Sequence, residues 1–307
     1  VTDYYAKLCA SVPPQPPVSF YWPDLGPYQA LYLSSPPERL RCRVTPAAGT
    51  AKTEVSLLDA SGREIVRKEF HAVGDLELPS VSLPTGEYRL RAVSSGPAGN
   101  ALAEIVQPFR VYPPARQEVL IGPDLILRFN GKPFLPCFLF DFNDLDAPET
   151  LRYMGAMGFN TILGGTSRDL DLYAKYHFKV VGWAGPPKAT DPETLRKYRE
   201  RLIDNYRDLK EHEAFLGYFL ADEPAWNGMP IANLEAAYRI IREFDPYHPV
   251  WINEAPRGEI GLIAEYGKFC DIFGVDIYPV PPPHPHSGLK NKELSCVGDY
   301  ADRKSVV

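Results

Sequence analysis

The pattern of apolar residues changes once along the chain, at Pro113-Pro114, and the two patterns call for different layer architectures. From Val18 to Val111, short runs alternate apolar and polar residues: Val18–Trp22, Tyr28–Leu33, Leu40–Val44, Thr53–Leu58, Glu64–Phe70, Gly86–Ala92 and Ala103–Val111. Turn residues separate them, as in Asp59-Ala-Ser-Gly62 and Leu83-Pro-Thr-Gly-Glu-Tyr88, and no segment holds a helical period over two turns. The spacing predicts an all-β, immunoglobulin-like antiparallel sandwich of roughly seven strands over residues 1–115.

Beyond Arg116, Leu125–Asn130 and Lys132–Phe134 flank Asn130-Gly131, the dipeptide of a tight hairpin. Apolar strands then alternate with helical stretches. Strands are expected at Phe134–Phe140, Asn160–Leu163, Phe178–Trp183, Phe215–Leu220, Val250–Asn253 and Ile272–Tyr278. Helices are expected at Pro148–Met157, Asp169–Tyr176, Pro192–His212, Ala232–Phe244 and Ile260–Tyr266. Asp191 followed by Pro192 and Glu193 is an orthodox helix start, and Asp245-Pro246 a helix stop.

This alternation predicts an α/β domain over residues 116–307, with a parallel sheet covered by helices. A doubly wound sheet and a (β/α)8 TIM-type barrel both satisfy it. No Gly-x-Gly-x-x-Gly follows a strand. Polar and aromatic residues stand instead at the ends of many different strands: Asp141, Asn143, Trp183, Asp222, Glu223, Asn253, Glu254, Asp276 and Tyr278. That distribution favours the barrel. Six strands occupy the stretch from Phe134 to Val307, whereas a whole barrel takes about 250 residues. The expectation is a barrel that stops after strand six, with Cys296–Ser305 opening the next helix.

With 33 Lys and Arg against 39 Asp and Glu, the net charge is −6, which disfavours nucleic acid as a partner. No apolar run approaches the roughly 18 residues of a membrane span. The 32 Pro, 18 Tyr and 15 Phe suit a loop-rich chain with sugar- or peptide-facing aromatic surfaces. The chain starts at Val1 without a signal-like stretch, which suggests a removed leader or a fragment. Five cysteines show no Cys-x-x-Cys spacing. Cys137 lies in an apolar run and Cys270 borders another, so both are expected in the core, while a Cys9–Cys42 bridge has only their common segment in its favour.

The sharpest motif is Leu216-Gly-Tyr-Phe-Leu-Ala-Asp-Glu-Pro224, an apolar strand ending in two carboxylates. Strand alternation lets only one of Asp222 and Glu223 face a barrel mouth, and Pro224 is expected to hold Glu223 extended. A carboxyl buried there beside other negative charge is suited to general acid work; an acidic tripeptide solvating a loop is the plainer alternative. Trp183 and Trp226 are stacking platforms or rim packing, and Tyr278 orients a carboxylate or caps a loop. His284 and His286, set among prolines, lack a third metal ligand, so no metal and no cofactor are expected. Lys179 and Lys188 lie outside apolar runs that would lower a lysine's pKa.

Phe129-Asn-Gly-Lys-Pro-Phe134, Gly217-Tyr-Phe-Leu-Ala-Asp-Glu-Pro224 and Gly274-Val-Asp-Ile-Tyr-Pro279 together resemble clan A glycoside hydrolases, especially β-galactosidase-like members with a sandwich ahead of the barrel. The resemblance implies an oligo- or polysaccharide substrate and retaining double displacement. Glu223 would be the acid/base, and the nucleophile would lie on a seventh strand beyond Val307. Asp222 stands where that family commonly has Asn, which puts the usual sugar-hydroxyl contact there in question. Asn253, Glu254 and Asp276 would contact sugar hydroxyls, with Glu254 or Asp276 alternatively paired with Glu223 in an inverting geometry, and Asp141 and Asn143 would contact the outermost ring or simply solvate a loop. An extracellular or periplasmic location goes with such a substrate. The rival expectation is a non-catalytic carbohydrate-binding or structural protein on a degenerate barrel.

Overall fold

The computed structural model describes residues 18–21, 30–34, 36, 38–79, 83–122, 124–139, 147–164, 170–255 and 260–276. The chain divides into two compact units, Val1–Ala115 with Ile121–Ile126, and Arg116–Leu120 with Leu127–Val307.

In the first unit, β1 (Ser19–Tyr21), β3 (Arg39–Thr45) and β6 (Gly74–Pro79) form one sheet in the order β1-β3-β6. The second sheet runs β2-β8-β7-β4-β5, from β2 (Ala30–Tyr32), β4 (Lys52–Asp59), β5 (Glu64–Phe70), β7 (Gly86–Ser95) and β8 (Ala101–Tyr112). Alternation decides the burial. In β3, Leu40, Cys42 and Val44 are buried and the arginines between them exposed, and these residues share one core with Val55, Leu57, Leu90, Ala92 and Phe109 of the other sheet. The Tyr88 hydroxyl donates to Pro84 O at 2.7 Å, the tyrosine-corner arrangement of immunoglobulin-like sandwiches.

Two details depart from the sequence expectation. The strand β6 was not expected, because only Leu76 and Leu78 alternate between Gly74 and Pro79; it forms by pairing along β3. The pairing is not wholly antiparallel, since β2 runs parallel to β8 at the sheet edge.

Two short strands follow, β9 (Val119–Ile121) and β10 (Leu127–Phe129), the latter paired with β11 (Lys132–Pro133) across Asn130-Gly131. Asn130 and Gly131 have φ of 47° and 78°, so both central residues are left-handed, as the turn requires.

The rest of the second unit is built on six parallel strands: β12 (Phe138–Leu139), β13 (Thr161–Leu163), β14 (Lys179–Trp183), β15 (Phe215–Asp222), β16 (Val250–Glu254) and β17 (Ile272–Val275). Their spatial order is their sequence order. Helices α1 (Pro148–Ala156), α2 (Leu170–Lys175), α3 (Pro192–Tyr206), α4 (Ile231–Phe244) and α5 (Ile260–Gly267) connect them. The helix start at α3 is as expected, with Asp191 Oδ1 accepting from Thr194 N–H at 3.0 Å, but the helix ends at Tyr206 and only a short 3-10 turn, Leu209–Glu211, continues it.

Among the described residues, the helices pack on one face of this sheet. Leu151, Met154, Leu170 and Tyr173 cluster with Ile162 and Val180, while Tyr198, Leu202, Leu234, Ala237 and Ile241 cluster with Tyr218, Leu220, Val250 and Ile252. A doubly wound sheet reverses strand order and carries helices on both faces. Sequential order with helices on one side is instead the arc of a singly wound sheet.

At Gly217 a methyl group would sit 2.4 Å from Pro249 O and 2.7 Å from the Trp251 ring. The first is backbone immediately before the neighbouring strand and cannot swing away. Gly217→Ala is therefore expected to destabilise the second unit by about 1–3 kcal/mol. Chemical denaturation would read this, and an unchanged midpoint would contradict the close approach.

Candidate active site

On the sheet face turned away from the helices, aromatic side chains line up. Phe219 pairs in register with Trp251, the Trp183 ring lies 5.0 Å from Phe219, and Phe138 meets Trp251 edge-on at 5.8 Å. Alternation within a strand does not show that Phe219 and Trp251, on different strands, share a face; the register between the strands does.

The register of β15 decides what stands at its end. Tyr218 and Phe219 pair with Val250 and Trp251, then the register slips, and Ala221 and Asp222 pair with Ile252 and Asn253. This bulge at Leu220 reverses the alternation. Ala221 falls on the helix face, and Asp222 lands beside Asn253 on the aromatic face. Asn253 Nδ2 donates to Asp222 Oδ1 at 3.0 Å. Gly274 leaves room for this, since a Cβ there would be 3.0 Å from Asn253 Oδ1.

Glu223 is not extended, contrary to the sequence expectation: its φ is 46°. Proline penalises the right-handed helical region at the preceding residue, and the left-handed region remains open to it at a cost of roughly 1–3 kcal/mol. The chain takes that conformation because β15 ends there. Glu223 N–H donates to Asn253 O at 2.7 Å, and Glu223 O accepts from Asn227 N–H at 2.9 Å, so the residue both closes the strand and opens the turn. Non-glycine residues held in this region concentrate at functional sites.

Glu254 ends β16 on the same face as Val250 and Ile252 and is fully buried. Its Oε1 accepts from Ala225 N–H at 2.9 Å, in the Glu223 turn, and its Oε2 has no hydrogen-bond partner among the described residues. Burial, followed by the negative charges of Glu223, Asp276 and Asp222, pushes its pKa up to about 7 against the Ala225 hydrogen bond. Asp276 follows β17, and its N–H donates to Glu254 O at 3.2 Å. The ends of three adjacent strands thus bring four carboxyl groups together.

Because folding raises this pKa, the Glu254 contribution to stability is present below the ordinary glutamate range near 4.3 and is lost as pH rises toward about 7. Glu254→Gln, neutral throughout, is expected to flatten the fall in melting temperature between about pH 5 and 8. Thermal melts across that range check it; parallel curves for parent and variant would count against a shifted carboxyl.

Trp183 ends β14 and Trp226 lies in the turn after Glu223; each is 53% exposed, enough to leave ring surface open to a ligand. Asp141, Asn143, Tyr278, His284 and His286 lie outside the described residues, as do Cys9 and Cys296. Cys42 is a free thiol in the sandwich core, where burial pushes it up to about 12. The core expectation fails for Cys137, which is exposed. It precedes β12 in a segment whose backbone, not its side chain, is engaged, with Cys137 N–H donating to Asn160 Oδ1 at 2.7 Å. Cys270 is half-buried.

Lys179 also departs from expectation, since burial lowers its pKa. Its Nζ lies 3.9 Å from the Phe129 ring centroid and donates to Glu213 O at 2.6 Å. It opens β14, at the opposite end of the strand from Trp183, and stays away from the carboxyl cluster. Among the described residues, no group of three or more His, Cys, Asp and Glu side chains is arranged to hold a metal ion. Among them also, no helix is long and apolar enough to cross a membrane.

No protein-family model and no curated protein matches the chain. Among solved structures it is similar to the β-glucuronidase of Parabacteroides merdae, at 14% identity and a TM-score of 0.40, over 85% of this chain and 36% of that one. It is similar to Bacteroides uniformis β-glucuronidase 2 at 13% identity and a TM-score of 0.43, over 94% of this chain and 38% of that one. A glycosyl hydrolase family 2 member from Bacteroides cellulosilyticus matches at 11% identity and a TM-score of 0.40, over 78% of this chain and 37% of that one. The chain spans little more than a third of the length of each. Similarities this loose carry no argument about fold or activity.

Proposed function

We propose that the second unit carries the site of a glycoside hydrolase acting on O-glycosidic bonds of an oligo- or polysaccharide. The six-stranded arc would belong to a (β/α)8 barrel, and Glu223 would be the acid/base. The observation that carries this reading is the placement of Glu223: on left-handed backbone at the end of the fourth of six sequential parallel strands, with Asp222, Glu254 and Asp276 at neighbouring strand ends. Barrel enzymes draw their catalytic groups from that end.

In a double displacement, Glu223 would protonate the glycosidic oxygen as the leaving group departs. It would then take a proton from the water that releases the glycosyl group, with the nucleophilic carboxylate about 5–5.5 Å away. Trp183 and Trp226, with ring surface exposed, would stack on sugar faces. Asp222 and Asn253, tied to each other, would offer hydroxyl contacts as a unit. A secreted or periplasmic location would suit such a substrate.

The test is the initial rate of the full-length protein and of Glu223→Gln on a panel of aryl glycosides. Equal rates would remove Glu223 from the chemistry. Absence of turnover by the parent, with sugars raising its melting temperature, would favour a binding protein that kept the barrel without the reaction.

A further inference from the structure

We propose that Glu254 is the positioning residue of this site: its buried carboxyl clasps the turn that carries Glu223 through the Ala225 amide, and its charge state sets how firmly the turn is held. The inference rests on the reading of Glu223 as acid/base. Three geometric facts support it. Glu254 is on the helix face of β16 and fully buried, so it is placed behind the site and not among sugar-facing groups. Its Oε1 meets the backbone of the Glu223 turn at 2.9 Å, two residues past Glu223. The preceding residue grips the same turn from the same strand, with Asn253 O accepting from Glu223 N–H at 2.7 Å.

The second oxygen, Oε2, is buried without a partner among the described residues. A carboxylate left so is costly, whereas a protonated carboxyl is tolerated, so burial divides the two charge states of this residue sharply. The ionisable groups facing it are Asp222 and Glu223 at the end of β15, Asp276 after β17, and Tyr266 of α5. The carboxylates oppose ionisation of Glu254. Once ionised, Glu254 makes a charge-assisted, stronger hydrogen bond to Ala225 N–H. Tyr266 is itself committed as a donor to Met229 O, at the far side of the Glu223 turn.

The experiment follows the Ala225 amide of the ¹⁵N-labelled full-length protein by NMR from pH 5 to 9, in the parent, Glu254→Gln, Glu254→Leu and Glu223→Gln. The parent amide is expected to titrate with a midpoint near 7. The transition should vanish in Glu254→Gln and move to lower pH in Glu223→Gln, where one opposing charge is gone. In Glu254→Leu, the amide is expected to exchange with solvent at least about tenfold faster, because a buried hydrogen bond is lost. The same variant should lose about tenfold or more in kcat on aryl glycosides with poor leaving groups and little on activated ones, since only the former need a well-placed acid.

An Ala225 amide that titrates identically in Glu254→Gln would overturn the proposal, and so would equal kcat losses of Glu254→Leu on both kinds of leaving group. If Glu254→Leu fails to fold, the Gln titration still decides. A parent that titrates as expected but hydrolyses no glycoside would overturn the acid/base reading and leave the clasp standing.

Discussion

Glu223→Gln is expected to lower kcat/KM on aryl glycosides with poor leaving groups by about 10²–10⁴-fold, the usual range for loss of a positioned general acid. The amide keeps the size and the neutral hydrogen-bonding character of the acid but cannot give up a proton. Its effect should therefore shrink as the leaving group becomes a better anion, and the backbone of the turn should be kept. The left-handed backbone at this position comes from Pro224, from the hydrogen bond between Glu223 N–H and Asn253 O, and from the turn closed by Asn227, none of which involves the side chain. Steady-state rates across leaving groups, alongside thermal melts, separate the two effects. A uniform loss on all substrates would point to disturbed binding and away from proton transfer.

The second large effect lies beneath the middle of β15 and is structural. The Tyr218 hydroxyl donates to Asp245 Oδ2 at 2.7 Å, and His248 Nδ1 donates to the same oxygen at 2.9 Å. Tyr247 N–H donates to Asp245 Oδ1, also at 2.9 Å. Asp245, His248 and Tyr218 are all buried, and the network joins β15 to the segment between α4 and β16. His248 and these hydrogen bonds outweigh burial and hold the Asp245 carboxyl below the usual aspartate range.

Asp245→Ala strands a buried hydroxyl, an imidazole N–H and a backbone N–H together. A loss of about 3–5 kcal/mol is expected, or on the order of 10 °C in melting temperature for a unit of this size. Because the pKa is lowered on folding, the stabilisation by Asp245 is present above the ordinary aspartate range near pH 4 and fades as pH falls through the folded value. The deficit of the variant should accordingly narrow in acid. Urea denaturation at neutral and at acidic pH measures both quantities, and a deficit independent of pH would mean the carboxylate is not what holds the segment.

Much of the architecture follows from local chemistry that a sequence carries openly. The 2-residue period of β3 fixes which of its side chains are buried, Asn130-Gly131 fixes a hairpin, and Asp191-Pro192 fixes the start of α3. Each depends on a few neighbouring residues and on backbone geometry alone. The alternation of apolar strands with helices likewise announces a parallel sheet, and the acidic end of β15 stands out as a place for chemistry.

What the sequence did not contain is set by partners far along the chain. Strand β6 forms only because β3 offers an edge some thirty residues earlier. The bulge at Leu220 depends on how β15 seats against β16, and it alone turns Asp222 toward Asn253. A rule of strict alternation cannot anticipate such a slip, because a bulge trades one local hydrogen bond for a better fit elsewhere in the ladder. Glu223 was expected extended for the same reason: its left-handed backbone answers to Asn253 on the next strand, not only to Pro224.

Glu254 shows the division most plainly. By itself, a carboxylate at a strand end reads as a solvent- or sugar-facing group. Its parity with Val250 and Ile252 buries it, and the turn after β15 supplies its one hydrogen bond. The sequence determined which residue types stand at the strand ends; the tertiary structure alone decided which face each took and which were cut off from water. Side-chain identity is a local property, whereas burial and the charge state it imposes depend on whatever the rest of the chain packs around the group.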